Sequence, residues 1–420
     1  MIFNSLISSG LLLSAANILA GCLGYVYQIL MGRMLQPEGY ASFSSIMALT
    51  VFFGAPLGAL VMVISRHVSA LRAHNRLFEI AMHYKKLLRQ IFIASVACTL
   101  LLYPIYIFLS YFREGISASS IYLLGAIVII GSFVMINNAF LQGLQSFSWF
   151  ASLGVIAVVL KIILSVAFIF LGLAVDGALL GVLVPAAIIF IMGYRVVVGS
   201  IPTRKPQETF LQVNNFLKLS TYLPVLIANL AFVAMTQLDI VLVNWYFPSE
   251  LAGQYAAAAV LGKVILYLPG GLALALYPRV AENHASNIGS AKILFQTLAV
   301  AAAVCILAAT FYGIFGPQII DIFYGSSYEG AGQILRWYGF AIYPLTLVMV
   351  LENFLIAKGR VIFAWLFLAA APFQVLAIYL WHEHLNSILI ILGVSGVLLL
   401  ISGFLFLWRD FKESLRETVR

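Results

Sequence analysis

Residues 151–173 read ASLGVIAVVLKIILSVAFIFLGL, and after three intervening residues 177–198 read GALLGVLVPAAIIFIMGYRVVV. A helix needs roughly 20 mostly apolar residues to cross about 30 Å of hydrocarbon, and each stretch meets that length. The first is interrupted by a single charge, Lys161. Further runs of this kind lie at about 6–31, 42–64, 91–112, 120–142, 221–246, 253–277, 293–316, 333–356, 362–381 and 387–408. The reading is therefore all-α: a polytopic membrane protein of about twelve transmembrane helices. Prolines 56, 104, 185, 224, 269, 344 and 372 fall inside the runs, where lipid-embedded helices tolerate kinks.

Composition agrees. Of 420 residues, 63% are hydrophobic and 9% charged, against about 25% charged in a soluble domain. The net charge of +8 follows no nucleic-acid motif, so nucleic acid is not an expected partner. Cys22, Cys98 and Cys305 sit in apolar runs, without the spacing of a disulfide framework or a zinc site. The first run has no basic leader and is longer than a signal-peptide core, so it is expected to remain as the first helix.

Basic residues mark one side. Arg66, Arg72, Arg76, Lys85, Lys86 and Arg89 follow the second run, and Arg195, Arg204, Lys205 and Lys218 follow the sixth. With Arg279, Lys292, Lys358, Arg360 and the tail they hold most of the 23 Lys and Arg residues. Basic loops stay cytoplasmic, which puts both termini in the cytoplasm.

The chain also repeats itself. Pro56 and Arg66 correspond to Pro269 and Arg279 at an offset of 213, and Gly143, Phe147 and Trp149 to Gly359, Phe363 and Trp365 at 216. A duplicated set of six helices keeps its orientation, and a central cleft between two six-helix bundles is the expected result. The expected organisation is a bundle over 1–200, a cytoplasmic linker over 201–218 whose basic residues meet anionic lipid, and a bundle with a short tail over 219–420.

Several pieces resemble a known family. They are Gly32-Arg33-Met34-Leu35-Gln36-Pro37-Glu38-Gly39-Tyr40, Phe140-Leu141-Gln142-Gly143, Leu238-Asp239-Ile240-Val241-Leu242-Val243, Gly253-Gln254-Tyr255-Ala256-Ala257 and Tyr277-Pro278-Arg279. Together and in order they resemble the Wzx-type polysaccharide flippases of the MOP (multidrug, oligosaccharidyl-lipid, polysaccharide) exporter superfamily. The resemblance implies a bacterial inner membrane and a cargo of polyprenyl-pyrophosphate-linked glycan, moved from the cytoplasmic to the external leaflet by alternating access. It also brings in membrane lipid and other polysaccharide assembly proteins as partners. The lipid II flippases are less similar, because they commonly carry two further helices and cationic residues within the first.

Charged residues in mid-bilayer are costly, at least about 2.5–3.5 kcal/mol, and usually face a cavity or a partner. Lys161 and Lys263 are the candidates for the substrate's pyrophosphate, Lys263 lying about 15 Å from the outer end of its helix at 1.5 Å per residue; the alternative, which the sequence favours for Lys161, is a lysine that snorkels along its stem or pairs with a buried acid. Asn17 and Gln28 are candidate sugar contacts, together with Asn137, Asn138 and Gln142. Asp239 either pairs statically with Lys263 or couples transport to H⁺ or Na⁺, since a proton or ion would cancel the charge that holds the lysine. Arg66, Arg279 and Glu352 are gate candidates, although arginine at a helix end also simply marks the interface. Tyr25, Tyr27, Trp245, Tyr267, Trp337 and Tyr338 read as an interfacial aromatic belt, with stacking on sugar as the alternative. Gly21-Cys22-Leu23-Gly24 and Gly54-Ala55-Pro56-Leu57-Gly58 read as sites of close helix packing, with hinge motion as the alternative.

No Walker A, GxSxG or HExxH pattern occurs, so no enzyme and no cofactor is expected. The His382-Glu383-His384 group reads as a helix cap. A multidrug or metabolite exporter of the same superfamily and a non-transporting subunit of a polysaccharide export complex are the alternatives to a flippase.

Overall fold

The computed structural model describes residues 2–110, 117–201, 219–269, 290–357 and 362–418. Contacts divide the chain into two compact units, Met1–Tyr222 and Leu223–Arg420. In the first unit, α1 (Ile2–Ala73) is followed by α2 (Leu77–Ser110), α3 (Ala118–Gly143), α4 (Phe147–Phe168) and α5 (Ala174–Gly199). The second holds α6 (Leu219–Tyr246), α7 (Ser249–Gly262), the short α8 (Val264–Tyr267), α9 (Ser290–Phe323), α10 (Ala331–Ala357), α11 (Ile362–Leu380) and α12 (Leu385–Thr418).

The all-α membrane architecture read from the sequence is borne out. Among the described residues, eight helical stretches are long and apolar enough to cross a bilayer, and two of them, Leu13–Ala73 with 61 residues and Phe147–Gly199 with 53, hold two crossings each. The other two of the twelve apolar runs fall on α2 and on the broken rod α7–α8. The chain is a multi-pass membrane protein.

The connections depart from the sequence reading. Where loops were expected after the first two runs, helix continues. In α1 the helical path breaks at Gln36 alone (φ 56°, ψ 171°), ahead of Pro37, whose ring cannot follow a helical residue without strain. The Gln36 side chain donates to the Arg33 carbonyl at 3.0 Å and occupies one acceptor at the break. Beyond 64 the rod runs on to Ala73 and returns as α2 after three residues. Ala, Leu, Arg and Lys propagate helix well, so a basic flank does not end it.

What ends it is left-handed backbone. Asn75 (φ 57°) and Gln145 (φ 54°) each close a helix at the basic end. The next amides reach back five residues, Arg76 to the Leu71 carbonyl and Ser146 to the Leu141 carbonyl, both at 2.9 Å, the bonds of a Schellman cap. The Phe140-Leu141-Gln142-Gly143 piece gains a structural reason here. A Cβ on Gly143 would lie 2.8 Å from the Ser65 carbonyl oxygen and 2.5 Å from Val68, and Ser69 donates to the Gly143 carbonyl at 3.0 Å. Arg72 donates to the Leu144 carbonyl. At the opposite end Ser119 and Ser120 donate to Asp176 at 2.6 and 2.7 Å, tying the start of α3 to α5.

His83 lies buried at the basic turn, edge-on to His67 with ring centroids 5.0 Å apart. Burial, with a smaller push from His67, lowers its imidazole to about 4, while Glu79 opposes and Lys86 and Arg76 add to the shift. An unfolded chain titrates near 6.5 and takes up the proton that the folded one rejects. Stability contributed by neutral His83 is therefore present above about pH 6.5 and lost as pH falls towards 4. Melting temperatures in nanodiscs between pH 7.5 and 4.5 should fall less steeply for His83→Gln than for the parent; parallel slopes would refute the assignment.

Candidate functional site

The second unit encloses a charge. Asp239 on α6 is fully buried and Lys263, at the junction of α7 and α8, is 4% exposed. The Lys263 ammonium donates to Asp239 Oδ1 at 3.1 Å and to Gln237 Oε1 at 3.4 Å. Two phenols complete the carboxylate: Tyr255 on α7 and Tyr338 on α10 donate to Oδ2 at 3.0 and 2.8 Å. Three donors on one carboxylate, one of them ionic, make a strong set of hydrogen bonds.

The backbone is shaped to admit this group. A Cβ on Gly262 would stand 2.2 Å from Tyr338 Cδ1, so only glycine lets that ring reach the end of α7. The Lys263 amide still bonds to the Ala259 carbonyl at 2.9 Å, but its ψ opens to −9° and its own carbonyl takes the tighter bond, from Leu266 N–H at 3.0 Å. The helix is thus jointed at its charged residue.

The first unit holds a different cation. Lys161 on α4 is half-buried and its Nζ sits 4.0 Å from the centroid of the Tyr27 ring, a cation–π contact. Tyr27 is fully buried and is held from behind by Ser165, whose hydroxyl donates to the Tyr27 oxygen at 3.3 Å and to the Ala178 carbonyl at 3.2 Å. Helices α4 and α5 come together there because Gly181 has no side chain: a Cβ would lie 2.1 Å from Ser165 Oγ. Among the described residues the ion pairs are Arg76–Glu79 and Lys263–Asp239, so Lys161 faces no carboxylate.

The remaining candidates are scattered. Gln28 is half-buried and accepts from the Tyr40 hydroxyl at 3.5 Å. Asn17 is exposed on the same arm of α1, eleven residues earlier and so on the same helical face, about 16 Å away. Asn137 is a structural amide: it accepts from Tyr84 and donates to the Phe190 carbonyl at 2.9 Å. Arg66 is exposed near the basic end. Glu352 is 7% exposed and lines a small recess with Pro224 and Phe363. Arg279 lies outside the described residues, as do the linker over 202–218 and the Tyr277-Pro278-Arg279 piece.

Sequence reasoning paired Asp239 with Lys263 but missed the phenols. Tyr27 and Tyr338 are fully buried and do not belong to an interfacial belt, whereas Tyr267 at 57% and Trp337 at 63% exposure fit one. The small-residue stretches are also corrected. A Cβ at Gly21, Gly24, Gly54 or Gly58 would meet nothing within 4 Å, so close packing occurs instead at Gly143, Gly181 and Gly262.

Comparison with solved structures places this fold. A multidrug resistance MATE family transporter of the MOP superfamily, in an inward-facing conformation, superposes with a TM-score of 0.72 at 17% identity, over 94% of this chain and 96% of that one. The lipid II flippase MurJ, inward closed, gives 0.69 at 15% identity over 94% and 87%. A point mutant of the Vibrio cholerae MATE transporter VcmN gives 0.61 at 14% over 98% of both chains. At such identities the likeness is one of fold. No curated protein matches the sequence significantly. The family described as MatE matches residues 224–380. The family described as polysaccharide biosynthesis protein matches residues 6–284, which bears out the resemblance to MOP exporters read from the sequence. A match over most of the chain fixes the assignment: this protein belongs to the polysaccharide biosynthesis protein family.

Proposed function

We propose that the chain is a flippase that moves polyprenyl-pyrophosphate-linked oligosaccharide across a bacterial inner membrane by alternating access, with both termini cytoplasmic. The observation that carries this reading is Lys161, a membrane-embedded ammonium that rests on an aromatic face and that, among the described residues, pairs with no carboxylate. Such a cation in a medium of low dielectric attracts an anion strongly and repels cations. Lys263, already neutralised by Asp239, is the weaker candidate for the pyrophosphate. Asn17 and Gln28, on one face of α1, are placed for sugar hydroxyls.

The buried pair serves a second role in this reading. A proton or Na⁺ arriving at Asp239 would cancel the charge that holds Lys263 and loosen the joint between α7 and α8, which couples ion entry to movement. Arg66, Arg279 and Glu352 close the cytoplasmic side.

A leaflet-resolved assay in proteoliposomes tests the proposal with labelled lipid-linked oligosaccharide. Lys161→Ala should slow flipping at least tenfold, equivalent to about 1.4 kcal/mol, and Lys161→Arg should retain more activity than Lys161→Ala. Undiminished flipping by Lys161→Ala would remove the central residue. A multidrug exporter is the second reading, favoured by the match of 224–380 to MatE. It predicts cationic dye efflux by the same vesicles and no movement of the glycan.

A further inference from the structure

One helical turn from Lys161, on the same face of α4, Ala157 forms part of the wall of a cavity of about 280 Å³. The cavity is a half-open recess lined wholly by residues of the first unit, from the second arm of α1 (Thr50, Gly54), α3 (Gly131, Ser132), α4 and α5 (Pro185). Its two hydroxyls are occupied by their own helices: Thr50 donates to the Ile46 carbonyl at 2.9 Å and Ser132 to the Val128 carbonyl at 2.6 Å. A buried water needs two to four polar partners, and these walls offer almost none. The cavity is a place for hydrocarbon.

Two of its residues have no packing reason to be small. Gly54 and Gly131 lie within helices, and a Cβ on either would meet nothing within 4 Å. Glycine is a poorer helix former than alanine, so what these positions preserve is open volume. A cavity of about 150 Å³ takes a six-carbon ring, which makes this one large enough for about two five-carbon isoprene units.

We propose that this cavity seats the isoprene units next to the pyrophosphate of the lipid-linked cargo, while Lys161 engages the pyrophosphate one turn away. The proposal rests on the flippase reading and names where the lipid part is held. A tail moving from bilayer to protein gains little from hydrophobicity, because lipid is already apolar. The selectivity comes from dispersion contact with the walls and from the Lys161 ammonium one turn along α4, which among the described residues pairs with no carboxylate. A pyrophosphate carries more negative charge than the phosphodiester of a phospholipid, and it is the better complement to that ammonium.

The experiment uses the full chain in nanodiscs of zwitterionic phospholipid and a sugar-free polyprenyl pyrophosphate bearing a diazirine on its second isoprene unit. Photolabel should map to the α3 and α5 walls, and Gly131→Phe should cut it at least tenfold. Val159→Phe, exposed on the opposite face of α4, should leave it unchanged. Gly54→Leu serves as a second blocking variant if Gly131→Phe melts far below the parent. Label that survives both blocking variants, or that excess phospholipid displaces, overturns the proposal. The two readings separate in the leaflet assay: wild type that flips oligosaccharide while the blocked variants flip it equally well defeats the cavity assignment alone. Wild type that binds the probe in the cavity and flips nothing defeats the flippase reading alone.

Discussion

Replacing Asp239 with asparagine should destabilise the protein by about 3–5 kcal/mol, because it strands a buried ammonium without a counter-charge and leaves three donors competing for one oxygen. The carboxylate is fully enclosed and accepts from Lys263, Tyr255 and Tyr338. An amide supplies one oxygen and brings two donors into a space already furnished with donors. The double variant Asp239→Asn with Lys263→Met removes the charge at nearly constant volume, and most of the lost stability should return. Thermal melts of the two single variants and the double variant close a mutant cycle. A single variant as stable as the parent would show that the pair is not desolvated. The stabilised double variant also separates the two roles of Asp239: a static pair predicts that it still flips cargo, whereas ion coupling predicts that it does not.

A leucine at Gly181 should be more disruptive than any exposed substitution in the first unit. A Cβ at this position would lie 2.3 and 2.4 Å from Ser165 Cα and N. Backbone cannot yield as a flexible side chain does, so the helices α4 and α5 must separate. Overpacking in a core typically costs about 1–3 kcal/mol, and a clash with main chain belongs at the upper end or beyond. The damage would reach Lys161, because Ser165 holds Tyr27 beneath the ammonium. Gly181→Leu is expected to yield little monodisperse protein, and Gly181→Ala a folded protein with a lower melting temperature. Gly131→Leu, where a Cβ meets open space, should melt no lower than the parent. If Gly181→Leu and Gly131→Leu melted alike, the close approach of α4 and α5 would be wrong.

The positions of the membrane helices were legible because hydrocarbon thickness imposes a length on every crossing and because apolar residues satisfy it run by run. Their ends were less legible. Nothing in the hydropathy of residues 65–73 distinguishes a loop from a helix that leaves the membrane, and the turn at Asn75 depends on one left-handed residue. The Asp239–Lys263 pair could be read because two charges in adjacent apolar runs have few alternatives to each other. The Tyr338 phenol could not, since it comes from a helix 99 residues beyond Asp239. The standing of Lys161 was equally hidden, because the absence of a carboxylate neighbour is a property of packing and leaves no mark on its own helix. Glycine misled most: in membrane helices it usually marks contact, and at Gly54 it borders a void.

The joint at Lys263 places a mechanical weak point and an electrical one in the same residue. A rod hinged at its own charged residue cannot be straightened or bent without dragging that charge through its cage. Under the ion-coupling proposal, the torque needed to swing α8 would depend on what occupies Asp239, and one residue would act as both latch and sensor.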